Sequence, residues 1–161
     1  MNTHISIYTD GSCHTQHGLG AWAAIILSEK GKTVLSDIAN NTTHQRMELI
    51  AIIKCLEYIQ QNPEVKPIIQ MYSDSQYVIG LKSREKKIVS NMYLTAKGNK
   101  MANQDLVKEF FLFSQHFCIT YSKLKSHLKL SEASKYNIEV DKLSRKLVRD
   151  AVKQLCQSQL N

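Results

Sequence analysis

Three acidic residues of this chain lie where a carboxylate needs a partner. Asp10 ends an apolar segment directly before a glycine, Glu48 lies one turn into an amphipathic segment, and Asp74 ends another apolar segment. A buried carboxylate without a partner raises its pKa rather than staying charged. Convergent carboxylate oxygens are hard ligands and favour a divalent cation such as Mg²⁺. Taken singly, each acid also has an ordinary interpretation as a turn former, a first-turn helix charge or a helix cap.

The first elements that position these acids are predicted to be strands. Hydrophobic alternation or continuous apolar character predicts strands at 4–9, 20–28 and 32–39, and the second is expected to be buried on both faces. Gly11-Ser12 is expected to break the chain after the first strand, and Lys30-Gly31 forms a tight turn between the second and third. The three strands are therefore predicted to form an antiparallel meander.

A helix is predicted next, with Thr43 as its N-cap and Asn62-Pro63 as its end. One face of this helix is predicted to carry Met47, Ile50, Ala51, Lys54 and Tyr58. The rest of the chain is predicted to form a strand, two helices, a strand and a final helix, at 65–72, 73–81, 103–115, 117–124 and 137–157. This order indicates an α/β fold with a mixed sheet and helices packed on its faces. The basic segment between the second and third helices is expected to be weakly structured.

The net charge of the 161-residue chain is positive and unevenly distributed. The chain contains 21 Lys and Arg against 14 Asp and Glu, which gives a net charge of +7. Residues 82–101 carry six basic residues against one acidic residue, and residues 123–149 carry eight against three, whereas residues 1–81 are slightly acidic. Segregated positive charge is typical of a protein that binds a polyanion, although a solvated lysine-rich surface has the same composition.

Composition also excludes several classes of protein. With 43% apolar residues, the chain can bury a single core and is neither disordered nor fibrous. The longest apolar run, 21–27, is too short to cross a bilayer, and the N-terminus lacks the pattern of a secretory signal. The cysteines lack the spacing of a zinc site: Cys13, Cys55, Cys118 and Cys156. We therefore expect a cytoplasmic protein without a membrane segment.

Five short motifs resemble, in order and spacing, those of type 1 ribonuclease H. They are YTDGS at 8–12, TTHQRMEL at 42–49, YSDSQYV at 72–78, KSH at 125–127 and NIEVDKL at 137–143. The resemblance extends over essentially the whole chain. It implies the ribonuclease H-like fold, with a five-stranded mixed sheet, strands 1–3 antiparallel and helices on both faces. It also implies hydrolysis of the RNA strand of an RNA/DNA hybrid, which leaves 5′-phosphate and 3′-hydroxyl ends.

The same resemblance implies a set of catalytic residues. Asp10, Glu48, Asp74 and Asp141 match the carboxylates that bind metal in that family. Two Mg²⁺ ions are implied as cofactors, and Mn²⁺ is expected to substitute for them. His127 matches the family's mobile histidine, whose imidazole can transfer protons or assist product release.

Substrate-binding residues are implied in two groups. The first group surrounds the acids and can offer backbone amides and polar side chains to the 2′-hydroxyls of the RNA strand or to a DNA phosphate. It consists of Gly11, Ser12, Gln16, Thr43, His44 and Gln45, of which Gln16 and His44 depart from the family's common asparagine. The second group matches a basic protrusion that grips phosphates away from the cut site. It consists of Lys86, Lys87, Lys97 and Lys100, and within this segment only Tyr93 is expected to stack on a base.

Three other interpretations stay open at this point. A catalytically silent module could bind hybrids or RNA through the basic segments, although it would not need four carboxylates where they repel phosphates. The segment 128–136 is longer than in the common bacterial pattern, which keeps a retroelement-derived ribonuclease H domain as an alternative. A different nuclease or recombinase of the same broad fold would share the acids but not the surrounding motifs. We expect residues 1–161 to form one catalytic domain without a separate hybrid-binding domain, and to act as a monomer without an obligate protein partner.

Overall fold

A mixed sheet is the centre of the fold. The structure is a computed structural model, and it describes residues 3–62, 67–123 and 132–159. Within these ranges the strands are β1 (His4–His14), β2 (Leu19–Ser28), β3 (Gly31–Ala39), β4 (Ile68–Ser73) and β5 (Cys118–Lys123). Their order across the sheet is β3-β2-β1-β4-β5, with β1, β2 and β3 antiparallel and β4 parallel to both β1 and β5. The predicted five-stranded mixed sheet with an antiparallel meander is confirmed.

Helices cover both faces of this sheet. The described helices are α1 (His44–Gln61), α2 (Gln76–Ser83), α3 (Glu85–Ser90), α4 (Gln104–Gln115) and α5 (Glu132–Ser158). The larger core joins α1 and α4 to one face of the sheet, through side chains such as Leu56, Phe110 and Ile7. A smaller core joins α5 to the other face, where Val140 packs with Tyr8. The predicted α/β architecture with helices on both faces is confirmed.

The interior position of β2 in the sheet explains its continuous apolar sequence. Residues 19–26 are buried without interruption, because β2 is paired on both edges and covered on both faces. A strand buried on both faces requires a continuous apolar run instead of alternation. The predicted burial of this strand is therefore confirmed.

The predicted break at Gly11-Ser12 is wrong. β1 continues to His14, and Gly11 pairs with Trp22 and Ser12 with Ala21 in the antiparallel ladder. The glycine is required by a close approach and not by a turn: a Cβ there would lie 2.6 Å from the backbone nitrogen of Glu48 in α1. The β1–β2 turn instead occupies residues 15–18.

The first helix has the predicted caps and a wider buried face than predicted. Thr43 is the N-cap, and its Oγ1 accepts a hydrogen bond of 3.3 Å from the nitrogen of Arg46. Asn62 is the C-cap, while Pro63 lies outside the described residues. Lys54 is exposed, and the buried residues are Met47, Leu49, Ala51, Ile52, Ile53, Cys55, Leu56 and Ile59. The buried face is wide because α1 packs on the sheet and on α4 together.

Several element boundaries also differ from the prediction. β4 extends to Ser73, because the pairing with β5 continues to Lys123, so α2 begins only at Gln76. The ends of the two predicted strands at 65–66 and at 124 lie outside the described residues. The last helix is already formed at Glu132, before the predicted start at 137. Part of the segment expected to be weakly structured is α3, a short helix without buried residues.

In the described part of the chain, no helix has the length and the apolar character needed to cross a membrane.

Candidate active site

Four carboxylates that the sequence singled out lie around one open cavity. Asp10, Glu48, Asp74 and Asp141 line this cavity of about 390 Å³, although they come from β1, α1, the link between β4 and α2, and α5. The remaining lining residues are Gly11, Ser12, Cys13, His44 and Arg145. The structure thus brings together residues that are separated by up to 131 positions in the sequence.

Asp10 and Asp74 are neighbours because β1 and β4 are parallel and in register. Tyr8 pairs with Tyr72 in the ladder, and their rings stack with centroids 4.7 Å apart. Each aspartate comes two residues later, so both side chains point to the same side at the same edge of the sheet. This edge is the carboxyl end of the parallel strands, which is where α/β proteins commonly bind ligands.

Glu48 is brought to the cavity by the first turns of α1. The absence of a side chain at Gly11 lets the helix backbone approach β1 closely. The Ser75 hydroxyl donates a 2.6 Å hydrogen bond to Oε2 of Glu48, and Nε2 of His44 lies 3.2 Å from Oε1. This carboxylate, whose side chain is only 11% exposed, is therefore oriented from both sides. The hydrogen bond to Glu48, supported by the charges of Asp10 and Asp74, raises the pKa of His44 against the opposing effect of burial.

Helix α5 contributes both an acid and the partners of two acids. Arg145 Nε donates a 2.7 Å hydrogen bond to Oδ1 of Asp141, one turn earlier on the helix. The neighbouring Ser144 is fully buried and donates from its hydroxyl to Oδ2 of Asp10. Burial, together with the negative charges of Asp141 and Asp74, raises the pKa of Asp10 to about 6, although the Ser144 hydrogen bond opposes this shift. Negative charge is therefore concentrated at a half-buried position, where a cation would be stabilised.

The donor set fits a divalent cation, but the side chains do not close into a cage. Carboxylate oxygens are the ligands that Mg²⁺ prefers. Among residues 3–62, 67–123 and 132–159, no group of three or more His, Cys, Asp or Glu side chains has the geometry to hold a metal ion. Each of Asp10, Glu48 and Asp141 is instead held by a hydrogen bond from a neighbouring protein side chain.

The structure brings some of the residues predicted to contact substrate near the acids to the same cavity. Gly11, Ser12 and His44 line it, and Gln45 lines an adjoining cavity with His44, Glu48 and Asp74. Thr43 caps α1 beside them, whereas Gln16 is exposed in the β1–β2 turn. His127 and the rest of the KSH motif lie outside the described residues.

The predicted basic protrusion is exposed, and an ion pair joins the helix that follows it to α1. Lys86 and Lys87 lie on α3, and Lys97 and Lys100 lie in a turn closed by an isolated bridge between Leu94 and Lys100. All four lysines are exposed. The start of α4, which follows this segment, is joined to α1 by a bidentate ion pair of Arg46 with Asp105, at 3.0 and 2.7 Å.

The ring of Tyr93, which is expected to stack on a base, is partly buried. It packs at a tilt against Phe111, with centroids 6.3 Å apart, and the Lys108 ammonium lies 5.1 Å from its centroid. The ring also packs against the larger core. These contacts limit the part of the ring that a base could reach, and stacking stays a prediction.

Sequence reasoning missed several side chains that hold or line the site. Ser144 and Arg145 follow Asp141 by three and four positions, which on a helix is the same face, so this spacing could have identified them. Ser75 follows Asp74 directly. Gln76 and Tyr77 line the adjoining cavity, and Cys13 lines the cavity of the acids.

This fold and this set of motifs have clear counterparts among known proteins. The sequence model described as RNase H matches residues 2–149. The chain belongs to the RNase H family. A ribonuclease H of Thermoanaerobacter sp. (strain X514) is 33% identical over 152 residues, which cover 93% of this chain and 93% of that protein. A ribonuclease H of a Wolbachia sp. from Drosophila simulans is 34% identical over 148 residues, which cover 91% of this chain and 97% of that protein.

Solved RNase H structures share the fold. The crystal structure of LC9-RNase H1, a type 1 RNase H with the type 2 active-site motif, has a TM-score of 0.73 at 15% identity, and the match covers 91% of this chain and 74% of that one. The solution structure of the PFV RNase H domain has a TM-score of 0.73 at 21% identity, and the match covers 92% of this chain and 96% of that one. The family resemblance predicted from the motifs is confirmed.

Proposed function

We propose that this chain is an endoribonuclease that hydrolyses the RNA strand of RNA/DNA hybrids with two divalent metal ions. Membership of the RNase H family supports ribonuclease H activity. The observation that carries the finer proposal is the cavity lined by Asp10, Glu48, Asp74 and Asp141. Four acids around one cavity repel one another and repel phosphates, so they are useful only with cations between them.

Asp10, Glu48, Asp74 and Asp141 would hold the ions, Mg²⁺ by preference and Mn²⁺ as a substitute. The bound cations would supply activation of the attacking water and stabilisation of the leaving 3′ oxygen, which leaves 5′-phosphate and 3′-hydroxyl ends. Ser144 fixes one oxygen of Asp10 and leaves the other for the cavity. Ser75 fixes one oxygen of Glu48, and His44 lies beside the other.

Other residues of the chain handle protons and substrate. His127, although outside the described residues, is proposed to transfer a proton or to assist product release. Thr43, His44 and Gln45 at the start of α1, together with Gly11, Ser12 and Gln16, are proposed to contact the hybrid beside the cut. Lys86, Lys87, Lys97 and Lys100 are proposed to bind phosphates away from the cut, through contacts that are independent of sequence.

All four carboxylates come from one chain and the two cores share one sheet. This arrangement supports the further proposal that residues 1–161 act as one catalytic domain and as a monomer.

The test is cleavage of a labelled RNA/DNA hybrid in Mg²⁺ by the wild type, Asp10→Asn and Asp74→Asn. Each substitution should lower turnover by at least about a hundredfold, because losing a ligand costs more than losing an outer partner of a ligand. Binding of the hybrid should be nearly unchanged. Asp37→Asn, an exposed position on β3, is the matched control and should cleave like the wild type.

The same assay separates the proposal from its alternatives. Duplex DNA, duplex RNA and a hybrid with a single ribonucleotide are offered beside the full hybrid, and only RNA paired with DNA should be cleaved. Robust turnover by Asp10→Asn or Asp74→Asn would exclude the two-metal assignment. Binding of the hybrid without cleavage by the wild type would favour the catalytically silent module.

A further inference from the structure

Helix α5 presents a basic face to solvent. Lys142, Lys146, Arg149 and Lys153 are spaced by four, three and four residues, which places them along one side of the helix. All four are exposed. The opposite side of the helix is the one that packs on the sheet, where Val140, Ser144 and Val148 are buried.

Among the residues that the structure describes, the cations of this face have no acidic partner, whereas several basic residues on other elements are paired. Lys32 pairs with Glu139, Lys54 with Glu57 and Lys82 with Glu85, each at 2.6 to 2.7 Å. In the described part of the chain, no carboxylate lies within ion-pair distance of the four cations of the α5 face. Like charges one turn apart destabilise a helix by itself. The arrangement becomes favourable when an external polyanion lies over it.

The basic face is continuous with the cavity of the acids. Lys142 directly follows Asp141, and Arg145, which is next to Lys146, lines the cavity. Only the Nε of Arg145 donates to Asp141, so the other guanidinium N–H groups remain to meet a phosphate. From Lys142 the face continues along the helix for about 17 Å to Lys153. A polyanion that enters the cavity can therefore extend onto α5.

We propose that the exposed face of α5 is a second binding surface for the phosphate backbone of a nucleic-acid duplex, separate from the basic protrusion. The two surfaces are attached to opposite sides of the sheet, since α4 follows the protrusion and packs in the larger core, whereas α5 packs in the smaller one. About 17 Å of duplex corresponds to roughly five base pairs and about five phosphates of one strand, which is enough for the four cations. This inference rests on the proposed function, because that function identifies the duplex as an RNA/DNA hybrid.

The test measures binding by fluorescence anisotropy in EDTA, with a fluorescein-labelled RNA/DNA hybrid and with duplex DNA of the same length, over a series of salt concentrations. The variant Lys146→Gln/Arg149→Gln/Lys153→Gln removes three charges away from the cavity. The slope of log K against log salt should fall in magnitude by about 2 to 3, since each phosphate contact contributes about 0.9. Affinity at about 0.1 M salt should fall by at least about tenfold.

Two control variants show that charge and position both matter. Lys146→Arg/Arg149→Lys/Lys153→Arg keeps the charges and should keep the slope. Lys30→Gln/Lys54→Gln removes two charges outside α5, one in the β2–β3 turn and one on α1, and should leave the slope nearly unchanged. Circular dichroism checks that α5 stays helical in every variant.

The outcomes judge this inference separately from the proposed function. If the α5 triple glutamine variant kept the wild-type slope of log K against log salt on both duplexes, the inference would be overturned. The basic face would then be a solvated surface that does not bind the duplex. An equal loss in the Lys30 and Lys54 variant would also overturn the inference, because the effect would then follow net charge alone. A wild type that binds duplex DNA with an α5-dependent slope but never cleaves a hybrid would support the α5 surface and contradict the proposed function.

Discussion

Replacing Asp10 with asparagine tests the electrostatics of the cavity without any substrate. In the folded protein, burial and the charges of Asp141 and Asp74 raise the pKa of Asp10 from 3.8 to about 6. A shift of about two units corresponds to at most about 3 kcal/mol between the two protonation states. Because solvent reaches part of this side chain, we expect about 1 to 2 kcal/mol. Asp10→Asn should therefore stabilise the metal-free protein by that amount near neutral pH.

The pH dependence fixes the sign of the effect. Between pH 3.8 and about 6 the folded protein holds a proton on Asp10 that the unfolded chain has released. The folded state binds more protons in this window, so raising the pH through it lowers the free energy of unfolding. The loss is complete above about pH 6, and it is absent below 3.8, where both states are protonated. The advantage of Asp10→Asn should therefore be largest above this window and disappear below it.

Urea unfolding in EDTA measures the effect, with the fluorescence of Trp22 as the probe. Trp22 is the single tryptophan and is buried, so its emission reports unfolding. The amide oxygen of the new asparagine can still accept the Ser144 hydroxyl, which separates the loss of charge from the loss of a hydrogen bond. Asp37→Asn, which is exposed on β3, is the matched control and should change stability by less than about 0.5 kcal/mol.

Adding Mg²⁺ should reverse the order of the two proteins. At a hundred times its dissociation constant, a cation that binds only the folded state adds about 2.7 kcal/mol to the wild type, which exceeds the advantage expected for Asp10→Asn. Asp10→Asn should lose most of this gain, because it lacks a ligand charge. The reasoning would be refuted if Asp10→Asn were less stable than the wild type in EDTA at neutral pH. It would also be refuted if the difference between the two proteins were the same at pH 4 and pH 7.

Three further substitutions address the parts that surround the acids. Ser144→Ala should lower Mg²⁺ affinity by about 10- to 100-fold in calorimetry, as expected for an outer partner of a ligand, and an unchanged affinity would leave Ser144 as core packing only. Asp105→Asn removes the exposed ion pair with Arg46, so the free energy of unfolding should fall by less than about 1 kcal/mol. KM for the hybrid should rise by a larger factor than kcat falls. A loss confined to kcat would contradict this prediction. His127→Ala should slow turnover by about a hundredfold or less without abolishing it, and a folded but inactive variant would mean that His127 is essential.

The sheet could be predicted because its signals are local. A strand paired on both edges and covered on both faces needs an unbroken apolar run, and β2 has one. The error at Gly11-Ser12 has a different origin. Glycine followed by serine is a local turn signal, but Gly11 is needed because α1 passes within 2.6 Å of the position of its missing Cβ. That approach involves residues 37 positions away, and no local pattern contains it.

The structure of the basic protrusion, which was expected to be weakly ordered, was also not predictable from local sequence. Helix α3 buries none of its residues, so it has no apolar stripe from which a helix could be predicted. The chain that follows it passes through left-handed conformations at Met92 and Tyr93. The carbonyl of Tyr93 accepts hydrogen bonds from the nitrogen of Met101 and from the side chain of Gln104, at 3.0 and 3.1 Å. Contacts with later residues therefore define this segment.

The four acids of the site differ in how easily each can be recognised from the residues next to it. Asp10 and Asp74 each follow an apolar run in the sequence and Glu48 lies beside an apolar helix stripe, so each is conspicuous where it lies. Asp141 is an acid on an amphipathic helix with its side chain 39% exposed, and only the NIEVDKL motif distinguished it. Its partner Arg145 has the same ordinary appearance, as an i,i+4 ion pair on a helix surface.

The hydrogen-bond and ion-pair partners of the acids could not be inferred from the residue types alone. Ser144 holds Asp10, Ser75 and His44 hold Glu48, and Arg145 holds Asp141. Burial and like charges around one cavity would otherwise favour protonation or displacement of the side chains, as the pKa of Asp10, raised mainly by burial, indicates. Hydrogen bonds and an ion pair therefore keep the acids beside the cavity, where the proposed cation would replace part of these contacts. The hydroxyls of Ser144 and Ser75 and the Nε of Arg145 each contact one oxygen of an acid. Glu48 differs because His44 lies beside its second oxygen, so the proposed cation would compete with His44 there.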